Sequence, residues 1–445
     1  MIGISVALLS GRSVHLQIEA EASVGALVQR AENELQADLR ALATPCGRIL
    51  PRSRRLREAG VQDGDTLSAV LGRRMLVASF GAFALLGADG RVVSWGHPLY
   101  GGDSSFVNDE LTDVESLWAT RHAFAAQRCD GSVVTWGHSK LGGDCSDVKD
   151  QLRDVKQIRS YAYTFAAERG DGELVVWGSS FCTGGPIRQQ LKEVQQVEVS
   201  CNAVAARLLD GSIVTWGHED FGGDSRAVQS QLVGIIQLRA TCGAFAALRF
   251  DGNVVAWGDA ACGGDATKVC DKLKQVSQLE GCGRGFAAVC GSEGRVVAWG
   301  GDCRVPSGLC GVRSLASTLG AFAALCADGH VIVWGDEEAG GSCSVPLLCV
   351  QEIKATSAAF AALLSDSRVV AWGAPGSGGD SSCVQQQLYD VDEVQASCYA
   401  FVALRADGHV ITWGGASYGG DSGSVQEKLA SSLCSANKAA GFPLR

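Results

Sequence analysis

Residues 244 to 258 read Ala244-Phe245-Ala246-Ala247-Leu248-Arg249-Phe250-Asp251-Gly252-Asn253-Val254-Val255-Ala256-Trp257-Gly258, followed by four variable residues and then Gly263-Gly264-Asp265. Two runs of β-forming residues flank an Asp-Gly pair. That pattern predicts a hairpin with a type I′ turn, whose central residues need positive φ. The closing Trp-Gly recurs at Trp95, Trp136, Trp177, Trp216, Trp257, Trp299, Trp334, Trp372 and Trp413. The chain beyond residue 74 is therefore an array of nine units of about 40 residues.

The internal spacing is strict. Phe83, Phe124, Phe165, Phe245, Phe322, Phe360 and Phe401 each precede their Trp by 12 residues, as does Val204, and Phe286 precedes its Trp by 13. Such constancy requires a fixed pairing register. Repeat six carries Ser292-Glu293-Gly294 at its turn, which accounts for the extra residue, and repeat eight carries Asp366-Ser367. A further strand precedes the hairpin (Ile235 to Ala240, Val391 to Ala396), so three strands per unit are expected. Segments such as Ser382 to Leu388 place apolar residues four apart, predicting a short helix or irregular turn. Units of this size cannot bury both faces alone, so neighbours must cover them, and radial stacking gives a propeller.

Composition sets the outer bounds. The net charge of −10 argues against a sequence-independent hold on nucleic acid, which needs a clustered Lys/Arg surface. A basic protein surface suits it better. The 18 Cys come without a signal-peptide pattern at residues 1 to 10, which points to a cytoplasmic or nuclear chain with reduced thiols. The apolar run Met75 to Ala88 is well short of the roughly 20 residues of a membrane span. No membrane association is expected.

Taken together, A-F-A-A-L-x-x-D-G-x-V-V-x-W-G-x4-G-G-D resembles the regulator of chromosome condensation repeat over residues 75 to about 430. The resemblance implies a β-propeller. The family blade is longer, its ring usually has seven blades, and its loop usually reads Gly-Gln-Leu-Gly, whereas this chain has nine short units. A closed ring and an open β-repeat array are both compatible with the sequence.

Residues 1 to 74 differ. They carry ten Arg, no Lys and eight acidic residues, leaving the remainder at −12. Alternating runs Ile2 to Leu9 and Val14 to Ile18 precede a predicted helix from Ser23, a suitable N-cap, to Leu39. With Gly47-Arg48-Ile49-Leu50 and Val61 to Leu71, this segment resembles the ubiquitin-like (β-grasp) fold. The expected fold is thus mainly β, a propeller-like repeat domain (75–445) preceded by a small α+β ubiquitin-like domain (1–74). The resemblance places an apolar recognition patch on Ile49 and Val70, with Leu9 as a third member. Leu71-Gly72-Arg73-Arg74-Met75 runs straight into repeat one, so docking is expected and conjugation is not.

Several constellations could be taken for chemistry. Gly415-Ala416-Ser417-Tyr418-Gly419 matches the G-x-S-x-G elbow but falls in the variable loop of an all-β repeat. The Gly-Gly-Asp carboxylates of Asp103, Asp144, Asp224, Asp265, Asp380 and Asp421 lie about 40 residues apart, too sparse for the converging oxygens calcium needs, so turn closure or capping is favoured. His97, His138 and His218 share one register, and surface or inter-blade hydrogen bonding is favoured over zinc. Cys201, Cys242 and Cys398 share another, with Cys282 displaced by one, and small buried packing is the expected role. No catalytic residue, metal or cofactor is expected.

The surface expected to carry function is the loop between Trp-Gly and Gly-Gly, where the framework is constant and the content varies. Tyr100, Phe221 and Tyr418 supply aromatic residues there, and Glu219, Asp220, Asp336, Glu337 and Glu338 supply acid, a mixture suited to a basic protein partner. The expected function is a non-enzymatic protein–protein interaction scaffold. Because related propellers occur in large ubiquitin ligases, the resemblance implies ubiquitin-pathway receptors as partners. The alternative is a guanine-nucleotide exchange factor acting on a small GTPase, as in the name-giving family member.

Overall fold

In the computed structural model each unit folds as a three-stranded antiparallel meander, and nine such sheets occur among the described residues. The structure describes residues 1–8, 11–35, 39–46, 48–50, 54–71, 74–179, 194–301 and 304–433. The first blade comprises Met75–Ala78, Ala82–Leu86 and Val92–Gly96, and the last comprises Val391–Ala396, Ala400–Arg405 and Val410–Gly414. The first strand of every blade touches the first strand of the next, and that of blade nine touches that of blade one, so these inner strands line a central axis and the ring is closed.

Middle strands are buried on both faces, which explains their continuous apolar sequence. Phe124 and Ala126 face blade one, where Ala82, Ala84 and Leu86 receive them, while Ala123 and Ala125 face blade three and admit Phe165 and Trp177. The large ring of one strand thus seats on small residues of the next. Phe and Trp are direct cross-strand partners, as at Phe245 and Trp257, and their rings lie 5.2 to 5.6 Å apart. At the closing joint Ala400, Val402 and Leu404 of blade nine receive Phe83, Leu85 and Trp95 of blade one. The ring is sealed by the same contact that joins ordinary neighbours.

The fourth element is a 3₁₀ turn in most units, for instance Gln229–Gln231 and Gln385–Gln387, and becomes a helix, Gln426–Leu433, after blade nine. Its apolar anchor, seen as Leu111, Leu232, Leu388 and Leu429, is buried in the joint.

The hairpin turn differs from the expected type I′. Gly252 donates to Arg249 O at 3.0 Å and Arg249 N–H donates to Asn253 O at 2.9 Å, leaving a three-residue connection. Only Gly252 has positive φ (78°). This is a type I turn followed by a left-handed Gly. Asp251 instead accepts Asn253 N–H through its carboxylate at 3.1 Å. The reason is tertiary: Gly252 O accepts Val276 N–H of the next blade at 3.0 Å, so the turn is shaped by its neighbour. In repeat six, Cys290 pairs with Arg295 around a four-residue connection, which absorbs the extra residue.

Residues before Met75 form a separate sheet of five strands, β1 (Ile2–Ala7), β2 (Ser13–Ile18), β3 (Leu39–Ala43), β4 (Ile49–Leu50) and β5 (Thr66–Leu71). Their order across the sheet is β2-β1-β5-β3-β4. β1 and β5 are parallel and the other pairs antiparallel. Helix α1 (Val24–Leu35) packs Leu27, Val28 and Ala31 against Ile4, Val6 and Leu67. Ser23 Oγ accepts Ala26 N–H at 3.1 Å, as an N-cap does. Leu39, expected to end the helix, opens β3 instead. No helix among the described residues is long and apolar enough to cross a membrane.

Candidate interaction face

Every outer strand ends in Trp-Gly on one face of the ring, so the variable loops share that face with the inner turns linking first and second strands. The loops are not free coils. Those after Trp95, Trp136, Trp216, Trp257, Trp334, Trp372 and Trp413 each form one 3₁₀ turn that ends on a left-handed Gly. That Gly seats the next blade: a Cβ on Gly222 would stand 2.6 Å from Phe245 Cδ2, and Gly222 O accepts Trp257 Nε1–H at 3.0 Å. The same bond joins Trp136 to Gly101, Trp177 to Gly142, Trp299 to Gly263, Trp372 to Gly340 and Trp413 to Gly378. Trp95 to Gly419 at 3.2 Å closes the circle. Trp334 lacks this bond. In blade six Gly301 and Asp302 follow Trp299-Gly300 directly, with no variable loop between, and the buried Trp334 Nε1 has no partner among the described residues.

In four of the described loops the first residue caps its turn through its side chain. His97 Nδ1 accepts Leu99 N–H, His218 Nδ1 accepts Asp220 N–H, and the carboxylates of Asp259 and Asp336 do the same for Ala261 and Glu338. Asp336, expected to meet a partner, thus serves its own turn. Asp103, Asp144, Asp224, Asp265, Asp380 and Asp421 each accept the backbone N–H two residues on. This is turn closure, as expected. Hydrogen bonds from Arg226, side chain first and backbone second, hold the Asp224 carboxyl down to about 2. Ser417 lies on an ordinary 3₁₀ turn of the series.

The structure brings some expected residues together and separates others. Tyr100 and Tyr418 meet at 6.4 Å between ring centroids, with His97 beside both. Phe221 stands apart on blade four, half-buried against the joint beside Val228 and Ala240 and edge-on to His218. Glu219, Asp220, Glu337 and Glu338 are exposed, the first two on blade four and the others on blade seven. Ile49 and Val70 lie on β4 and β5, with side chains outside the described set, and Leu9 lies outside the described residues.

The inner turns form a second feature that the repeat consensus conceals. Their backbones hydrogen-bond from blade to blade: Phe80 N–H to Arg121 O, Arg121 to Ala162, Cys201 to Cys242, Cys242 to Gly283, Gly283 to Leu319, Leu319 to Ser357, Ser357 to Cys398 and Cys398 to Phe80. Cys201, Cys242 and Cys398 belong to this collar. Cys398 and the adjacent Cys282 are buried as expected, whereas Cys201 is exposed and Cys242 half-buried. Around one sector, Tyr399, Tyr418, His97, Tyr100, Phe80, His122 and Tyr163 make a continuous aromatic wall. Burial, reinforced by His138 and Arg121, holds the His122 imidazolium down to about 4, so the ring is neutral at physiological pH. Its Nδ1 and that of His138 are buried without partners among the described residues.

Below the collar, inner-strand side chains cross the joints. Gln237 receives Leu279 N–H at 2.9 Å and donates to Leu279 O at 3.1 Å, and Gln196 and Gln278 do the same to Leu238 and Leu315. Two positions on, Arg239 lies between Glu198 (3.8 Å) and Glu280 (3.4 Å). Burial raises both carboxyls more than Arg239 lowers them.

Fold and face together describe a propeller-like ring of Trp-Gly hairpin repeats. No family model matches the chain, and no curated protein does. Among solved structures it is similar to yeast RCC1 (Prp20) bound to Kap60, at 15% identity over 79% of this chain and 81% of that one, with a TM-score of 0.36. Prp20p from Saccharomyces cerevisiae, described with its binding properties to Gsp1p and histones, is similar at 14% identity over 67% and 82%, TM-score 0.33. A designed protein based on ubiquitin is similar over 16% of this chain and 87% of its own, at 17% identity and a TM-score of 0.15. At these scores the architecture rests on the strand pairing and closure described above.

Proposed function

We propose that this chain is a non-enzymatic protein–protein interaction scaffold whose partner docks on the Trp-Gly face through a basic surface. The observation that carries this reading is the uniform 3₁₀ framework of the loops, which holds exposed Glu219, Asp220, Glu337 and Glu338 on one face at little ordering cost. Histones, named in the description of Prp20p, are a convenient basic probe. A purified core-histone dimer should bind the full chain with strong salt dependence. The variant Glu219→Gln, Asp220→Asn, Glu337→Gln, Glu338→Gln should bind about tenfold more weakly, each rim charge contributing a few tenths of a kcal/mol. Unchanged affinity would remove this reading.

Within that scaffold, ubiquitin-pathway receptors are the finer partner assignment for the N-terminal domain, supported by its helix over a mixed sheet with parallel β1 and β5. Ile49→Ala with Val70→Ala should abolish capture of such receptors, and undiminished capture would count against it. Guanine-nucleotide exchange on a small GTPase is the second reading, and accelerated nucleotide release from a purified panel is its test.

A further inference from the structure

At the centre of the interaction face the collar encloses an axial bowl of about 550 Å³, to which all nine blades contribute. The inner-strand residues Ala240, Gly281, Ser317 and Ala355, each paired with the middle-strand Phe of its blade, line the bowl and are small. In blade four the lining residue is Val199, paired with Val204. The bowl's volume falls in the range of small-ligand sites.

Arg121 is the one charged residue among the described residues that line it. Its side chain is exposed, with the guanidinium 5.9 Å over the Tyr163 ring, and it makes no ion pair with any described residue. The deeper carboxyls do not claim it. Glu198 and Glu280 are bonded to Arg239, Gln196 and Ser317, and Arg121 acts on Glu198 only as a more distant charge. Neutral His122 supplies no second cation. The collar N–H groups of Phe80, Arg121, Cys201, Cys242, Gly283, Leu319, Ser357 and Cys398 are spent on one another, so they cannot cradle an anion. Exposed Phe80 (39%) and Leu319 (65%) supply apolar wall.

We propose that this bowl binds an apolar-bodied monocarboxylate, its carboxylate on Arg121 and its body against Phe80, Tyr163 and Leu319. One planar guanidinium forms two parallel bonds to a carboxylate, whereas a dianionic phosphate would call for more than one cation. The ligand could be a free small acid or the C-terminus of a polypeptide, the chemistry being the same. The site is separate from the acidic rim, so neither reading depends on the other.

Calorimetric titration of the full chain with 3-phenylpropionate, its amide, and a pentapeptide ending in Phe as free acid or amide tests this. Both acids should bind saturably and the amides about tenfold more weakly. Tighter binding of the peptide acid identifies a polypeptide C-terminus as the source, and tighter binding of phenylpropionate a small acid. Arg121→Gln and, separately, Leu319→Asp should each lower acid affinity about tenfold without moving the thermal midpoint, since both side chains are exposed. The proposal is overturned by equal affinity for acid and amide, by unchanged affinity in Arg121→Gln, or by no saturable binding of any probe up to about 10 mM.

Discussion

In the eighth blade the left-handed position of the hairpin turn holds Ser367 at φ 62°, where the corresponding residue of blade five is Gly252 at 78°. The Ser turn keeps its inter-blade bond, Val391 N–H to Ser367 O at 2.9 Å, so its cost is the conformation itself. Ser367→Gly should stabilise the chain by about 0.5 to 1 kcal/mol, the relieved strain less the entropy glycine adds to the unfolded state. Gly252→Ala should do the opposite, because its Cβ would stand 2.9 Å from Gln275 Cα in the neighbouring blade. A loss of about 2 kcal/mol or more is expected from strain and overlap together. Thermal midpoints of the two variants, moving in opposite directions, check both. The Asp-Gly pair was legible as a hairpin, but its turn type was not, because a neighbour's N–H decides it.

At the scale of elements, the 3₁₀ turn after Trp-Gly proves to be a joint. It was legible as a variable loop. Its structural half, a left-handed Gly under the next Phe with a carbonyl for the next Trp, was not, since nothing within one repeat shows what lies above it. The joint gives a paired prediction. Trp136→Phe forfeits the bond to Gly101 and leaves that carbonyl without its indole donor, whereas Trp334→Phe removes a buried donor that has no partner among the described residues. Both lose similar volume, so Trp136→Phe should cost about 1 to 2 kcal/mol more. Urea unfolding of the two variants measures the difference, and equal losses would deny the bond its role. Among the candidate residues, Phe221 lies half-buried against this joint, a contact that no single repeat shows.

For the whole molecule, closure creates an interior that no single repeat possesses. Inner strands converge, their polar side chains face across joints, and Glu198, Arg239 and Glu280 become a half-buried chain of charges. Because burial raises the Glu280 carboxyl above the ordinary Glu value, the folded state binds its proton more readily than the unfolded state does. Its contribution is therefore greatest at acid pH and is lost as pH rises through the raised value. Glu280→Gln is neutral at every pH. Its stability relative to the parent should improve as pH rises above the ordinary Glu value of 4.5, read from urea midpoints, and a constant difference would show that the site is not linked to folding. Arg121, Phe80, His122, Tyr163 and Tyr399 also gain meaning only here. Their one sequence signal was the two variable residues between the inner-strand Thr or Ser and the Ala-Phe of the middle strand, the register that the cysteines share.

The sequence by itself determined the number of units, the three strands in each, and the Phe–Trp register, because strand alternation and turn residues are local properties repeated nine times. It also separated the N-terminal sheet from the ring through the change in pattern and charge. Only the tertiary structure decided that the array closes, that the Trp-Gly loops are joints as well as surface, and that nine inner turns surround a bowl with the Arg121 guanidinium in its wall. Those outcomes depend on which side chain of one blade meets which backbone of the next, and that pairing exists only once the ninth blade reaches the first.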